Sequence, residues 1–301
     1  MTFFLSSRPL APLAALALAP LLVVACTDGQ ESTDSDTSDT TDTGADERHI
    51  EIKLAAVVGD APFACGTEFS DLGTTAASAT FNDARFYVHD VAVVDAEGTR
   101  TQVMLHDSEW QSQGVALLDF EDASGECMGT AETNTSLSGM IPADVVPTAV
   151  EFTLGVPEDL NHLDSAAAAS PLNLPAMYWS WMGGYKFMKV DLAPTAGPSF
   201  VFHLGSTMCS GDSGSGYSCM YGHRVTIRVE LNPDADTLVF DLGALLAGSD
   251  LTTENDPMVD PVDGCMSGAM DPECPAIFAP LGLEVTSNDT HPESQTVFRK
   301  M

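Results

Sequence analysis

Phe86-Tyr-Val-His-Asp-Val-Ala-Val-Val94 is followed by Asp95-Ala-Glu-Gly98 and then by Gln102-Val-Met-Leu105. Two apolar runs with a period near two, joined by a short link rich in turn residues, spell an antiparallel hairpin. Upstream, Ile50, Ile52, Leu54 and Ala56 take every second position and set one face of an earlier strand. Downstream, 115–120, 150–155, 185–192, 200–204, 223–231 and 237–242 repeat the pattern, most of them stopping at Gly, Asp, Asn or Pro. Many short strands with turn signals between them predict an all-β chain, an antiparallel β-sandwich with long disulfide-pinned loops. Helical signal is limited to 159–169 and 241–246, enough for a turn or two each. The stretch 247–275, rich in Asp, Gly, Pro and Met, reads as a long loop pinned by Cys265 and Cys274. No internal repeat is present.

Residues 1–25 carry Arg8, an apolar run over 10–24 and a small Ala25 directly before Cys26. That order is a lipoprotein signal peptide, whose cleavage leaves Cys26 as the lipidated first residue. A spanning helix needs about 20 apolar residues. This run is shorter, is interrupted by Pro9, Pro12 and Pro20, and is followed by acidic residues. The chain is therefore expected to be exported and anchored to a lipid bilayer through Cys26, facing the periplasm or the cell surface. Residues 26–47 are almost entirely Thr, Ser, Asp, Gly and Glu. Such a segment buries too little to offset its ordering entropy and reads as an acidic, disordered tether, with 48–301 as the folded body.

A formal net charge of −33, with only 11 Lys and Arg, argues against nucleic acid, because phosphate binding needs clustered basic residues. The same charge favours solubility and draws cations to the surface. Of seven cysteines, Cys26 belongs to the lipid, leaving Cys65, Cys127, Cys209, Cys219, Cys265 and Cys274. An exported setting permits up to three disulfides among about fifteen pairings. Short loops favour Cys209 with Cys219 and Cys265 with Cys274, which leaves Cys65 with Cys127. No Cys-x-x-Cys pair supports a zinc site.

No Gly-x-Ser-x-Gly, His-Glu-x-x-His or phosphate-cradling loop occurs, so the residues point to a binding protein rather than an enzyme. Strand alternation puts His89 on the face of Tyr87 and Val91, out of reach of Asp90 unless a bulge intervenes. His162 follows a strand end and a proline turn, in Asn161-His162-Leu-Asp164, beside groups able to orient it. Trp179 and Trp181 stand two residues apart and face one side of an extended segment, and Gly183-Gly184 allows a sharp bend after them. His203 precedes the Cys209 loop. Imidazoles from separate strands and loops suit a copper or zinc site. The alternative is a metal-free surface in which Trp179, Trp181 and Tyr185 form an exposed platform for a glycan or peptide.

Pro62-Phe-Ala-Cys65-Gly, Arg85-Phe-Tyr-Val-His89-Asp-Val91, Gly114-Val-Ala-Leu-Leu-Asp-Phe-Glu121, the run 154–164, Trp179-x-Trp181-x-x-Gly-Tyr-Lys-Phe187 and Phe202-His203-Leu-Gly together resemble the MbnP family. These are periplasmic copper-binding proteins, also described as four-Cys proteins of the metallo-mystery pair. The likeness is best supported over 51–242. It implies a β-rich body that binds copper, and a partner that is a di-haem MbnH-like peroxidase of the MauG type. That partner would oxidise a tryptophan to kynurenine, and copper binding would depend on the change. Carried over, Cys65, Cys127, Cys209 and Cys219 fit the four-Cys pattern, His89, His162 and His203 are candidate ligands, and Trp179 or Trp181 is the modified residue. Cys265 and Cys274 go beyond the pattern. Lipid on Cys26 removes the free N-terminal amine that a histidine-brace oxidase needs.

Overall fold

The computed structural model describes residues 46–212, 214–254 and 262–301. The expected signal peptide, Cys26 and nearly all of the tether lie outside the described residues. No helix among the described residues is long and apolar enough to cross a membrane.

Strands dominate among the described residues, whose α-helices are four or five residues long. In Glu47–Val58, Ile50, Ile52, Leu54 and Ala56 are buried as alternation requires. This strand pairs antiparallel with Ser136–Pro142 and parallel with Leu238–Asp241, which Phe298–Lys300 borders. A larger sheet runs in the order Val225–Val229, Ala149–Leu154, Ala77–Val94, Met188–Pro194, Phe200–Leu204 and Gly264–Cys265. Its last ladder is also parallel. The all-β expectation holds, but the sheets are mixed rather than antiparallel throughout. Alternation reports which face is buried and is silent on the direction of the neighbour. The two sheets share one core, in which the Phe86 ring lies 4.9 Å from Phe240 and 5.4 Å from Phe298.

The hairpin forms as expected at first. Gly98 N–H donates to Asp95 O, and Arg100–Gln102 pairs with 92–94. The chain then leaves the larger sheet, and Met104–Leu105 joins Ser136–Pro142 at the edge of the smaller one. Asp90 has φ of 51° and inserts one extra residue, so that Ala92 pairs with Glu151 while His89 pairs with Thr153. The bulge does not bring Asp90 to His89, because the carboxylate goes to Arg100 at 2.8 Å.

Ala77–Val94 is 18 residues long and changes partner partway along one edge. Its first half pairs with Met188–Pro194 and its second with Ala149–Leu154. Tyr87 is the junction: its N–H donates to Phe187 O and its carbonyl accepts from Gly155 N–H, both at 2.8 Å. The whole segment 155–187 therefore leaves and re-enters the sheet at one point.

Three disulfides close, Cys65–Cys127, Cys209–Cys219 and Cys265–Cys274. The expected loop over 247–275 is more ordered at its end than its composition suggests. Gly264–Cys265 adds a strand to the larger sheet, Cys274–Phe278 is a helix, and 255–261 lies outside the described residues. Leu242–Leu246 is helical, with the Asp241 carboxylate accepting from Ala244 N–H at 3.1 Å. Of 159–169, only the start is helical, within Glu158–Asn161.

Because Phe86 joins both sheets, Phe86→Ala should destabilise the protein by about 3–5 kcal/mol. Urea unfolding followed by circular dichroism checks this, the midpoint falling with an unchanged slope.

Candidate metal centre

The segment 155–187 begins at Gly155, whose φ is 112° and where an added Cβ would stand 2.8 Å from the Phe187 ring. Only glycine lets the outgoing chain lie against the returning one. Pro157 then opens the one-turn helix Glu158–Asn161. The Asn161 side chain is fully buried, and its Oδ1 accepts from Tyr185 N–H at 2.9 Å. Gly184, with φ of 72°, leaves room for that amide, since a Cβ there would sit 2.5 Å from Asn161 Oδ1. Asn161 thus ties the start of the segment to its end, and the glycine pair provides the bend.

His162 extends from this anchor. Its Nδ1 is 2.8 Å from Trp181 O, a carbonyl that can only accept, so Nδ1 carries the proton and Nε2 keeps its lone pair. Nε2 is 3.2 Å from the Asn161 amide nitrogen and 3.3 Å from Cys219 Sγ. The imidazole rests on the hairpin formed by Thr207–Asp212 and Gly216–Tyr221, its ring 5.3 Å from that of Tyr217. His162, Cys209 and Cys219 bring their ligand atoms within 4.8 Å of one another. The two sulfurs are bonded to each other, so only the imidazole is a donor while the disulfide is intact. A cavity of about 330 Å³ beside His162 is lined by Glu158, Asp159, Asp164, Asp212, Trp181 and Tyr217, an anionic and aromatic surround that suits a cation.

His203 sits in Phe200–Leu204 and is 8% exposed. Its Nε2 donates to Asp191 Oδ1 at 2.8 Å, and its buried Nδ1 has no hydrogen-bond partner. Burial works against the Asp191 charge, yet the hydrogen bond from His203 and the nearby positive charges hold that carboxyl below its ordinary range. A carboxylate behind an imidazole, with the far nitrogen bare, is the arrangement that orients metal-binding histidines. Lys189 bridges Asp191 to the buried pair of Asp83 and Arg85.

The two tryptophans differ. Trp181 is 48% exposed. Trp179 is half-buried, its Nε1 is buried without a partner, and its six-membered ring abuts Gly205, where a Cβ would stand 2.4 Å from Cζ3. Gly205 is two residues beyond His203. Tyr185 is fully buried, its hydroxyl donating to Leu172 O at 2.6 Å. The metal-free platform of three exposed rings therefore does not exist, because Tyr185 is packed in the core and Trp179 is packed on backbone.

His89 lies at the sheet split, its Nδ1 2.8 Å from Gly155 O, and burial lowers its proton affinity. The three candidate imidazoles are not gathered into a ready triad, since the ligand atoms of His89, His162 and His203 are not all within 4.8 Å of one another. Each is held by a different acceptor. His223 has both ring nitrogens 2.8 Å from carbonyls, of Gly205 and Val285, and is a structural bridge. Asn161, Asp191 and Gly205, which shape the site, carry no motif of their own. Among them Asn161 is marked in sequence by standing next to His162, and Gly205 by closing Phe202-His203-Leu-Gly; Asp191 is not marked.

The site therefore comprises imidazoles each oriented by one acceptor, an indole nitrogen buried without a partner and an acidic cavity, on a β-rich body braced by disulfides. No curated protein matches the chain. The family model for MbnP matches residues 47–267, and the chain belongs to the MbnP family. Among solved structures it is similar to MbnP from Methylosinus trichosporium, at 27% identity and a TM-score of 0.75, covering 85% of this chain and 98% of that one.

Asn161→Ala leaves the Tyr185 N–H without an acceptor and should cost about 1–3 kcal/mol. Hydrogen exchange should show faster exchange at Tyr185 with little change at Tyr87. The lowered His89 proton affinity means that the unfolded chain binds the proton more readily. That contribution to stability is present above the ordinary histidine value of 6.5 and is lost as the pH falls below it toward the folded value. His89→Gln should flatten the fall in thermal midpoint between neutral pH and about pH 5 relative to the unaltered chain.

Proposed function

We propose that this chain is an exported, lipid-anchored copper-binding protein whose centre forms beside Trp179 after a di-haem MbnH-like peroxidase has opened that indole to kynurenine. The observation that carries the reading is the pair of buried, partnerless nitrogens, Trp179 Nε1 and His203 Nδ1, with the Trp179 six-membered ring packed on Gly205, two residues after His203. Buried polar atoms without partners are rare in native proteins and ask for an explanation. In the conversion the indole C2–C3 bond breaks and each carbon gains one oxygen from two equivalents of a peroxide-type oxidant, each of which is reduced to water. Hydrolysis then releases the former C2 as formate. The product exposes an aryl amine and a carbonyl, better donors than an indole nitrogen.

His203 through Nδ1 and His162 through Nε2 are the proposed ligands. His89, whose Nδ1 is tied to Gly155 O, would be the third through its Nε2. The acidic cavity beside His162 would concentrate the cation. Three disulfides agree with an oxidising compartment, and anchoring through Cys26 would keep the body at the membrane.

Expression with and without the di-haem partner, followed by intact mass and copper analysis, tests this. The copper equivalent that is lost in His162→Ala/His203→Ala should bind tightly only after the mass has shifted to that of kynurenine. Trp179→Phe should block both changes and Trp181→Phe neither. His162→Ala and His203→Ala should keep the mass shift and weaken copper binding by about tenfold or more. Tight binding that depends on His162 and His203 with both tryptophans intact defeats the activation step, and no binding through those histidines in any form defeats the function.

A further inference from the structure

A second group of soft ligands lies on the smaller sheet and shares no residue with the centre proposed above. In Glu47–Val58, His49 faces outward between the exposed Glu47 and Glu51. Across the ladder it pairs with Met140, which in turn pairs with Met104 on the edge strand. One register step away, Ser138 stands between Glu51 on one side and His106 on the other, the His106 N–H donating to Ser138 O at 3.0 Å. Directly opposed side chains on one face of a sheet have Cβ atoms about 4.5–5.5 Å apart. Two imidazoles and two thioethers therefore share one small outward patch.

The rings lean together. His49 Nε2 is 3.0 Å and His106 Nδ1 3.2 Å from the same Ser138 Oγ, and the ring centroids are 5.6 Å apart at 15° between planes. A serine hydroxyl has one proton to give, so it can donate to only one imidazole and must accept from the other. Two ring nitrogens aimed at a single point suit a two-nitrogen metal site once the donating imidazole shifts its proton to its other ring nitrogen, so that both present lone pairs.

The patch is also pre-arranged from beneath. The buried Gln111 amide donates to His106 O and Ser138 O at 2.8 and 2.9 Å, and its Oε1 accepts from Ser138 N–H at 2.9 Å. Gly139 lets the edge strand come close, because a Cβ there would be 2.5 Å from Met104 O. A clamped backbone under the ligands limits the ordering that binding must impose.

We infer that His49, His106, Met104 and Met140 form a second metal site, selective for Cu(I). Imidazole is a general ligand for late first-row metals, and thioether sulfur is the softer donor that selects monovalent copper over zinc. The ion takes the place between the two ring nitrogens that the Ser138 hydroxyl bridges in its absence. Glu51 supplies nearby negative charge without entering the ligand set.

Anaerobic Cu(I) titration against a competing chelator tests this on the full chain produced without the di-haem partner. The unaltered protein should take up one equivalent that His49→Ala/His106→Ala lacks, and X-ray absorption should show both nitrogen and sulfur neighbours. Met104→Leu/Met140→Leu should lose the sulfur scattering and with it the preference for Cu(I) over Zn(II). His162→Ala/His203→Ala should retain the equivalent, which separates this site from the first. Should the alanine pair fold poorly by circular dichroism, His49→Gln/His106→Gln keeps polar contacts to Ser138 and serves instead. Equal uptake by the histidine variants, a spectrum without sulfur, or an affinity no tighter than that of the urea-unfolded chain would overturn the assignment.

Discussion

Tyr87 is the residue on which the arrangement of the larger sheet turns. Its N–H and its carbonyl pair with two different chain segments, Phe187 and Gly155, at the point where the long strand exchanges one neighbour for another. A backbone residue in a sheet has one donor and one acceptor, and both must be satisfied when buried. Splitting them between two strands gives the intervening 155–187 segment a fixed exit and a fixed return. Its two ends are fixed by sheet hydrogen bonds, and between them it carries Asn161, His162, Trp179 and Trp181. The hydroxyl of the same tyrosine donates to Pro171 O at 2.8 Å, so one side chain also holds the middle of the segment it launches.

From that junction the site is assembled by close approach rather than by a dense hydrogen-bond network. Gly155 admits Phe187, Gly184 admits Asn161 and Gly205 admits Trp179. Each contact sets an aromatic ring or an amide directly on backbone, where any Cβ would intrude. The polar groups then divide into those that are fully tied, such as His223, and those with one tied and one bare nitrogen, such as His203. The second kind is a donor held in orientation by its first bond. The outward His49 and His106 follow another logic: they are placed by strand register and by the Gln111 clamp, and they converge on a hydroxyl instead of a carboxylate.

Much of the fold was legible residue by residue. Alternation in Glu47–Val58 identified the buried face correctly, and Asp95 to Gly98 turned the chain as their residue types require. The failures share one cause. Parallel pairing of Glu47–Val58 with Leu238–Asp241, the bulge at Asp90 and the move of Met104–Leu105 to the other sheet all depend on which distant segment supplies the neighbour. Tyr185 shows the same limit at the site. An aromatic beside two tryptophans looks like part of a platform, yet it is turned inward because Asn161 captures its backbone.

The sequence by itself determined the all-β character, through period-two burial, and the family, through ordered matches over most of the body. It also marked the export and anchoring expectation at Cys26 and the residue types able to hold a metal. Local pattern suffices for these, because each is a property of neighbours along the chain. Only the tertiary structure decided that His162 rests on the Cys209–Cys219 hairpin, that Asp191 backs His203, that Trp179 rather than Trp181 is packed against Gly205, and that His49 meets His106 over Ser138. These are contacts between residues far apart in the chain or set by cross-strand register. Their geometry exists only once the sheets have closed and the buried backbone groups have found their partners.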